Sequence, residues 1–220
     1  MTLSVQQELV RIKSDAVHME GMLEIPDNSI GLVLFAHGSG SSRLSPRNNY
    51  VAAQLRNAHM ATLLLDLLTP QEDQDYQARF DISLLTQRLN KASDWLRQYA
   101  CTQSLPLGLF GASTGAAAAL QLAAERRTDI AAVVSRGGRP DMAGEHALGK
   151  VRAPTLLIVG GLDDVVIELN KVAYTGLHCE KRLEIVPGAT HLFEEAGTLE
   201  KVATLATSWF VLHFPRQERT

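Results

Sequence analysis

The stretch Leu105–Arg127, LPLGLFGASTGAAAALQLAAERR, decides how the rest of the chain is read. Its apolar run over Leu105–Phe110 has the length and composition of a buried strand. The alanines from Ala116 to Ala119 give the following helix a thin face that can lie close against a sheet. Between the two stands Gly111-Ala112-Ser113-Thr114-Gly115, a G-x-S-x-G. In a strand–turn–helix context this pattern holds the serine in a strained backbone conformation and lifts its Oγ above the sheet edge. Glycines two residues to either side fit because a Cβ there would meet crowded backbone. Ser113 is therefore the candidate nucleophile. The competing reading is a serine that caps the helix N-terminus, and the partners found elsewhere in the chain weigh against it.

Outward from this stretch, strands alternate with helices. Val5–Asp15 and Val17–Ile25 show rough apolar–polar alternation and read as two antiparallel strands at a sheet edge, ended by Pro26-Asp27-Asn28. Buried strands are expected over Ile30–Ala36, Ala61–Leu68, Ile130–Val134, Thr155–Val159 and Arg182–Val186. Helices are expected over Pro46–Asn57, Asp81–Tyr99, Val166–Tyr174 and Leu199–Phe214, with Thr69–Tyr76 as a polar loop. The alternation predicts an α/β fold: three layers, a mostly parallel sheet of about eight strands, and helices on both faces. Residues 1–220 are expected to form one domain.

Composition sets outer bounds. The chain has 220 residues, 45% of them hydrophobic and 20% charged, and a net charge of −3, which argues against a general nucleic-acid or anionic-membrane surface. Cys101 and Cys179 stand far apart and in no metal-ligand spacing, so free thiols in a reducing compartment are expected. The opening MTLSVQQELVRIKSD is polar, unlike a signal peptide, and no apolar run approaches a membrane span. A cytoplasmic location is the expectation.

Sites in sheets of this kind form at the carboxyl ends of the strands. Four loops there hold unusual residues: His37–Ser42, Gly111–Gly115, Gly160–Asp164 and Pro187–His191. A serine nucleophile needs a base to take its proton, and the base needs a carboxylate to fix its tautomer. His191, in a glycine-containing turn directly after the last strand, is the candidate base. The other histidines, apart from His37, fall away from this edge. Asp163, soon after the preceding strand, is the candidate carboxylate. Asp164 competes with it, but is otherwise free to cap the next helix. Glu194 and Glu195 read as acids near a helix N-terminus. An oxyanion hole is expected from the backbone N–H groups of Thr114 and Ser39. His37 is expected to be structural, bonding nearby backbone.

Together A-H-G-S-G, G-A-S-T-G, G-G-L-D-D-V-V and P-G-A-T-H, in that order, resemble the α/β-hydrolase superfamily over essentially the whole chain. The short chain, the H-G-S-G loop and the absence of a long cap insertion are most similar to its dienelactone-hydrolase-like branch. The resemblance implies a carboxylic ester hydrolase of that fold with a Ser-Asp-His order, a minimal cap and no metal or organic cofactor. Dienelactone hydrolases are expected to carry cysteine at the nucleophile. Here it is Ser113, which favours a general ester or thioester hydrolase acting on small molecules. A binding domain without turnover and an acyltransferase are the alternatives.

Substrate signals are sparse. Arg43 and Arg47 flank the expected oxyanion loop, and Arg136 and Arg139 follow a strand. Arginine recognises carboxylate or phosphate well. Arg43, Arg136 and Arg139 are therefore candidate contacts to an acidic substrate group. The competing reading has them solvated and paired with acids such as Asp141. The segment from Arg139 to Lys150 is short, so an open site is expected.

Overall fold

A computed structural model describes residues 4–215, so the expected domain limits at 1 and 220 lie outside the described residues. Eight strands form one sheet in the order β1-β2-β4-β3-β5-β6-β7-β8. They are β1 (Val5–Ser14), β2 (Val17–Pro26), β3 (Gly31–Ala36), β4 (Met60–Leu65), β5 (Leu107–Ala112), β6 (Ile130–Arg136), β7 (Thr155–Gly160) and β8 (Lys181–Val186). β1 and β2 form an antiparallel hairpin that joins β4 antiparallel, and every later pairing is parallel. The helices are α1 (Pro46–Asn57), α2 (Tyr76–Phe80), α3 (Ile82–Gln98), α4 (Thr114–Glu125), α5 (Glu145–Leu148), α6 (Asp164–Gly176) and α7 (Thr198–His213). The expected polar loop at Thr69–Tyr76 contains a 3-10 turn over Glu72–Gln74 and runs into α2.

The hydrophobic pattern explains the layering. β3, β4, β5 and β7 are buried at every position, as strands covered on both faces must be. One core holds Leu34, Leu63 and Leu109 from the sheet with Leu89 of α3 and Ala118 and Leu122 of α4. The opposite core holds Phe35, Phe110 and Ile158 with Leu55 of α1 and Phe210 of α7. β5 is pinned from this second side, where Phe210 lies where a Cβ on Gly108 would stand, 2.6 Å away. The chain from β6 to β7 adds only a 3-10 turn, Pro140–Ala143, and the one-turn α5, so the cap is minimal.

Register carries the loops to one rim. Ala36 pairs with Gly111, Ala112 with Arg136, Arg136 with Ile158, and Gly160 with Val186. The carboxyl ends of β3, β5, β6, β7 and β8 therefore finish side by side, and the segments after them share one edge. Three strands run past their expected ends toward that edge, β7 by the single residue Gly160. β5 extends through Ala112, directly into Ser113, and β6 extends through Arg136. Alternation and apolarity mark the middle of a buried strand; they do not mark an end that carries a glycine or an arginine.

Candidate active site

Ser113 links β5 to α4 with φ 49° and ψ −123°, a conformation that L-residues rarely adopt. Its side chain makes no capping bond to α4, so the helix-cap reading does not apply. The elbow is held from two sides. Ser113 O accepts from Ala116 N at 3.1 Å and from Arg139 N at 3.0 Å. The flanking glycines are required by contact rather than by φ. A Cβ on Gly111 would stand 2.4 Å from Ala116 Cα, and one on Gly115 would stand 2.2 Å from Ala36 O. The neighbour of Gly115 is backbone and cannot turn aside. Gly115→Ala is thus expected to destabilise the fold by about 3 kcal/mol, the upper end of ordinary overpacking. Denaturant unfolding measures this, and a loss below about 0.5 kcal/mol would show that the elbow is looser than described.

His191 and Asp163 meet at this rim. His191 Nδ1 lies 2.6 Å from Asp163 Oδ2, and the Asp163 side chain is largely shielded from water. The two loops are tied by backbone: Gly161 N donates to Val186 O, and Leu162 N donates to Ala189 O. Gly160 makes this approach possible, since a Cβ there would sit 2.5 Å from both Ala189 O and Thr190 O. Asp163 occupies the N-cap position of α6 yet makes no cap bond, so its carboxylate is left to the imidazole. Asp164 does not cap the helix as expected; it is the first helical residue.

A cleft of about 180 Å³ is lined by Gly38, Ser39, Ser41, Ser45, Arg47, Ala112, Ser113, Arg136, His191 and Leu192, so that the serine and the histidine share one cleft. Gly38 lies flat against the serine, where a Cβ would come within 2.8 Å of Ser113 Cβ. The Ser39 N–H points to the elbow and donates to Thr114 Oγ1 at 3.1 Å. The Ser39 amide expected at the oxyanion hole is thus held by a hydroxyl rather than open. Among the described residues no group of three or more His, Cys, Asp or Glu side chains is disposed to hold a metal ion.

His37 fastens the Ser39 loop. Its Nε2 accepts from Leu67 N at 3.1 Å, so the ring proton is on Nδ1 and donates to Gly38 O at 3.0 Å. Burial pushes the His37 pKa below its ordinary value, against opposing pulls from the Gly38 bond, Asp66 and Asp73. Protonation would also turn the acceptor to Leu67 into a second donor. Folding therefore favours the neutral ring. The unfolded chain takes up the proton first, so this contribution is complete above about pH 6.5 and is lost as pH falls below it. The thermal midpoint of the wild type is expected to drop more between pH 7 and 5 than that of His37→Asn. Parallel curves would remove this role.

The arginines divide in a way the sequence does not reveal. Arg43 is turned away from the cleft, with its backbone N–H and guanidinium on Asp66 and a further bond to Glu20 at 3.0 Å. Arg139 makes a two-pronged pair with Asp141, at 2.9 and 2.8 Å, and does not line the cleft. Both candidate substrate contacts are thus already paired with acids. Arg136 and Arg47 do line the cleft. Glu194 and Glu195 stand just before α7, which starts at Thr198, and their carboxylates bond to Arg47 and Thr190. Glu194 pairs with Arg47 at 2.8 Å. Glu195 accepts from Thr190 N at 3.0 Å and Thr190 Oγ1 at 2.7 Å, bracing the turn that presents His191. The spacing Thr190 to Glu195 was the available signal for that brace.

A model of the alpha/beta hydrolase domain matches residues 29–207, and the chain belongs to this family. Within it the chain is dienelactone-hydrolase-like. It is 53% identical to the dienelactone hydrolase of Anabaena variabilis, covering 96% of this chain and 99% of that one with a TM-score of 0.92. Est1E from Butyrivibrio proteoclasticus shares the fold, at 16% identity over 93% of this chain and 98% of that one, with a TM-score of 0.80. Two Mycobacterium tuberculosis proteins named "putative phosphoribosyl transferase" are 55% identical over 209 residues, which is 95% of this chain and 47% of theirs. The chain spans about half the length of these curated relatives. Among the described residues no helix is long and apolar enough to cross a membrane.

Proposed function

We propose that the chain is a serine hydrolase that cleaves esters or thioesters of small molecules through an acyl-enzyme on Ser113. The observation that carries this reading is the 2.6 Å contact between His191 Nδ1 and Asp163 Oδ2, made at the cleft that Ser113 lines. With the carboxylate on Nδ1, the other ring nitrogen is free to act as a base. As Ser113 Oγ bonds to the acyl carbon, His191 Nε2 takes its proton, and the carbonyl oxygen becomes an oxyanion. The Thr114 N–H, and the Ser39 N–H once it exchanges Thr114 Oγ1 for the charged oxygen, are the donors proposed to hold it. Collapse expels the alkoxide or thiolate, which leaves with the proton from His191. Water then repeats the sequence, giving the acid and restoring Ser113.

Acyl transfer to an acceptor other than water shares every step up to the acyl-enzyme. The relatives' name raises phosphoribosyl transfer as a reading for proteins about twice as long. A panel of short p-nitrophenyl esters and matched thioesters tests the proposal, run with and without added alcohols and an activated phosphoribosyl donor. Hydrolysis in water alone is the expected result. No hydrolysis of any member, together with transfer from the phosphoribosyl donor, would replace it.

A further inference from the structure

Arg43, Arg47 and Arg139 each have a carboxylate partner; among the described residues Arg136 has none. Its side-chain partner is the neutral Asn48 carbonyl oxygen, 3.0 Å from Nη2, and its Nε is buried without a partner among the described residues. Arg136 is 6% exposed, yet it lines the cleft that Ser113 and His191 share. A buried charge with no counter-charge is costly and persists only where something compensates it. Burial, with Arg47 beside it, pushes the Arg136 guanidinium down to about 10, so it is still charged at neutral pH.

Further donors converge on the same place. Arg47 lines the cleft; Glu194 holds its Nη1 at 2.8 Å, and its Nε is buried without a partner among the described residues. Helix α1 opens onto it through its N-cap Ser45, and its first turn contains no acidic residue. The partial positive charge of that helix end is therefore not neutralised from within the helix. Ser41 and Ser45 line the same cleft, and among the described residues no acidic side chain does. The Arg136 guanidinium, the edge of Arg47 that Glu194 does not hold, two serines and a helix N-terminus offer more than the two oxygens of a carboxylate can use. A phosphate monoester brings three terminal oxygens and a charge of about −1.5 to −2 at pH 7.

We propose that this wall is a phosphate-binding subsite, so that the ester cleaved at Ser113 carries a phosphate monoester on a part of the substrate that does not react. The phosphate is held, not transferred. The turnover half of this proposal rests on the serine-hydrolase reading, and the binding half does not.

Two measurements separate those halves. The first is calorimetric titration of inorganic phosphate, and separately of succinate, into Ser113→Ala at matched ionic strength. Phosphate is expected to bind more tightly than succinate, and Arg136→Gln or Arg47→Gln in that background to weaken it roughly tenfold or more. The second is kcat/KM of the wild type on three acetyl esters: of glycerol 3-phosphate, of glycolic acid, and of glycerol. The phosphorylated ester is expected to lead the neutral one by roughly tenfold or more, and Arg136→Gln to erase that ratio. Equal values on the phosphorylated and neutral esters, or a lead for the carboxylated one, would overturn the phosphate assignment. Tight phosphate binding with no ester turnover would overturn the hydrolase reading and support the subsite. If Arg136→Gln does not fold, Arg47→Gln and competitive inhibition of the wild type by inorganic phosphate decide the matter, and absence of inhibition overturns the proposal.

Discussion

Ser113→Ala is expected to lower kcat for a short p-nitrophenyl ester by on the order of 10⁶-fold, leaving only the contribution of binding and oxyanion donors. The size of the effect follows from the position. The strained φ of 49° places this one side chain at the cleft, and its two flanking glycines admit no other residue beside it. On the proposed mechanism, removing the hydroxyl removes the atom that would form the acyl-enzyme. The fold itself is expected to persist, because alanine keeps the Cβ and the hydroxyl makes no bond that holds the helix. A variant that retains a tenth of the activity would place the nucleophile elsewhere.

Asp163→Asn is expected to cost about 10⁴-fold in kcat while leaving the thermal midpoint within a few degrees of the wild type. The exchange keeps shape and removes charge. An amide facing His191 Nδ1 can donate as well as accept, so the ring settles in the tautomer that puts a proton on Nε2, the nitrogen that must be bare to receive one. Asp164→Asn provides the internal comparison, since Asp164 begins α6 and Asp163 is the residue bonded to His191. Equal losses at the two positions would contradict the distinct roles given to them.

Much of the fold is legible in the amino-acid order, because it depends on short-range rules. Apolar runs such as LVLFA and TLLIV have the composition of strands covered on both faces, as in a parallel sheet, and a glycine-flanked serine between strand and helix has few other uses. The turn at Pro187–His191 is legible for the same reason. What stayed hidden depends on which distant residues meet. Nothing near Arg43 in the chain announces Glu20 and Asp66. Nothing beside Arg136 shows that β6 carries it to the rim and leaves it without an acid among the described residues. Arg43, Arg136 and Arg139 look alike as loop arginines, and only register and crossing loops sort them. Asp163 is a similar case. As a residue before a helix it looks like a cap, and the backbone link from Leu162 to Ala189 is what turns it toward the imidazole instead.

The most direct test of the whole account is where a serine-directed fluorophosphonate attaches. The probe forms a covalent bond only with a hydroxyl that a neighbouring base activates. Intact-mass measurement with peptide mapping is expected to find one adduct per chain, on Ser113, absent in Ser113→Ala and formed much more slowly in Asp163→Asn. A folded wild-type chain that takes up no probe, or one whose adduct survives Ser113→Ala, would contradict the account.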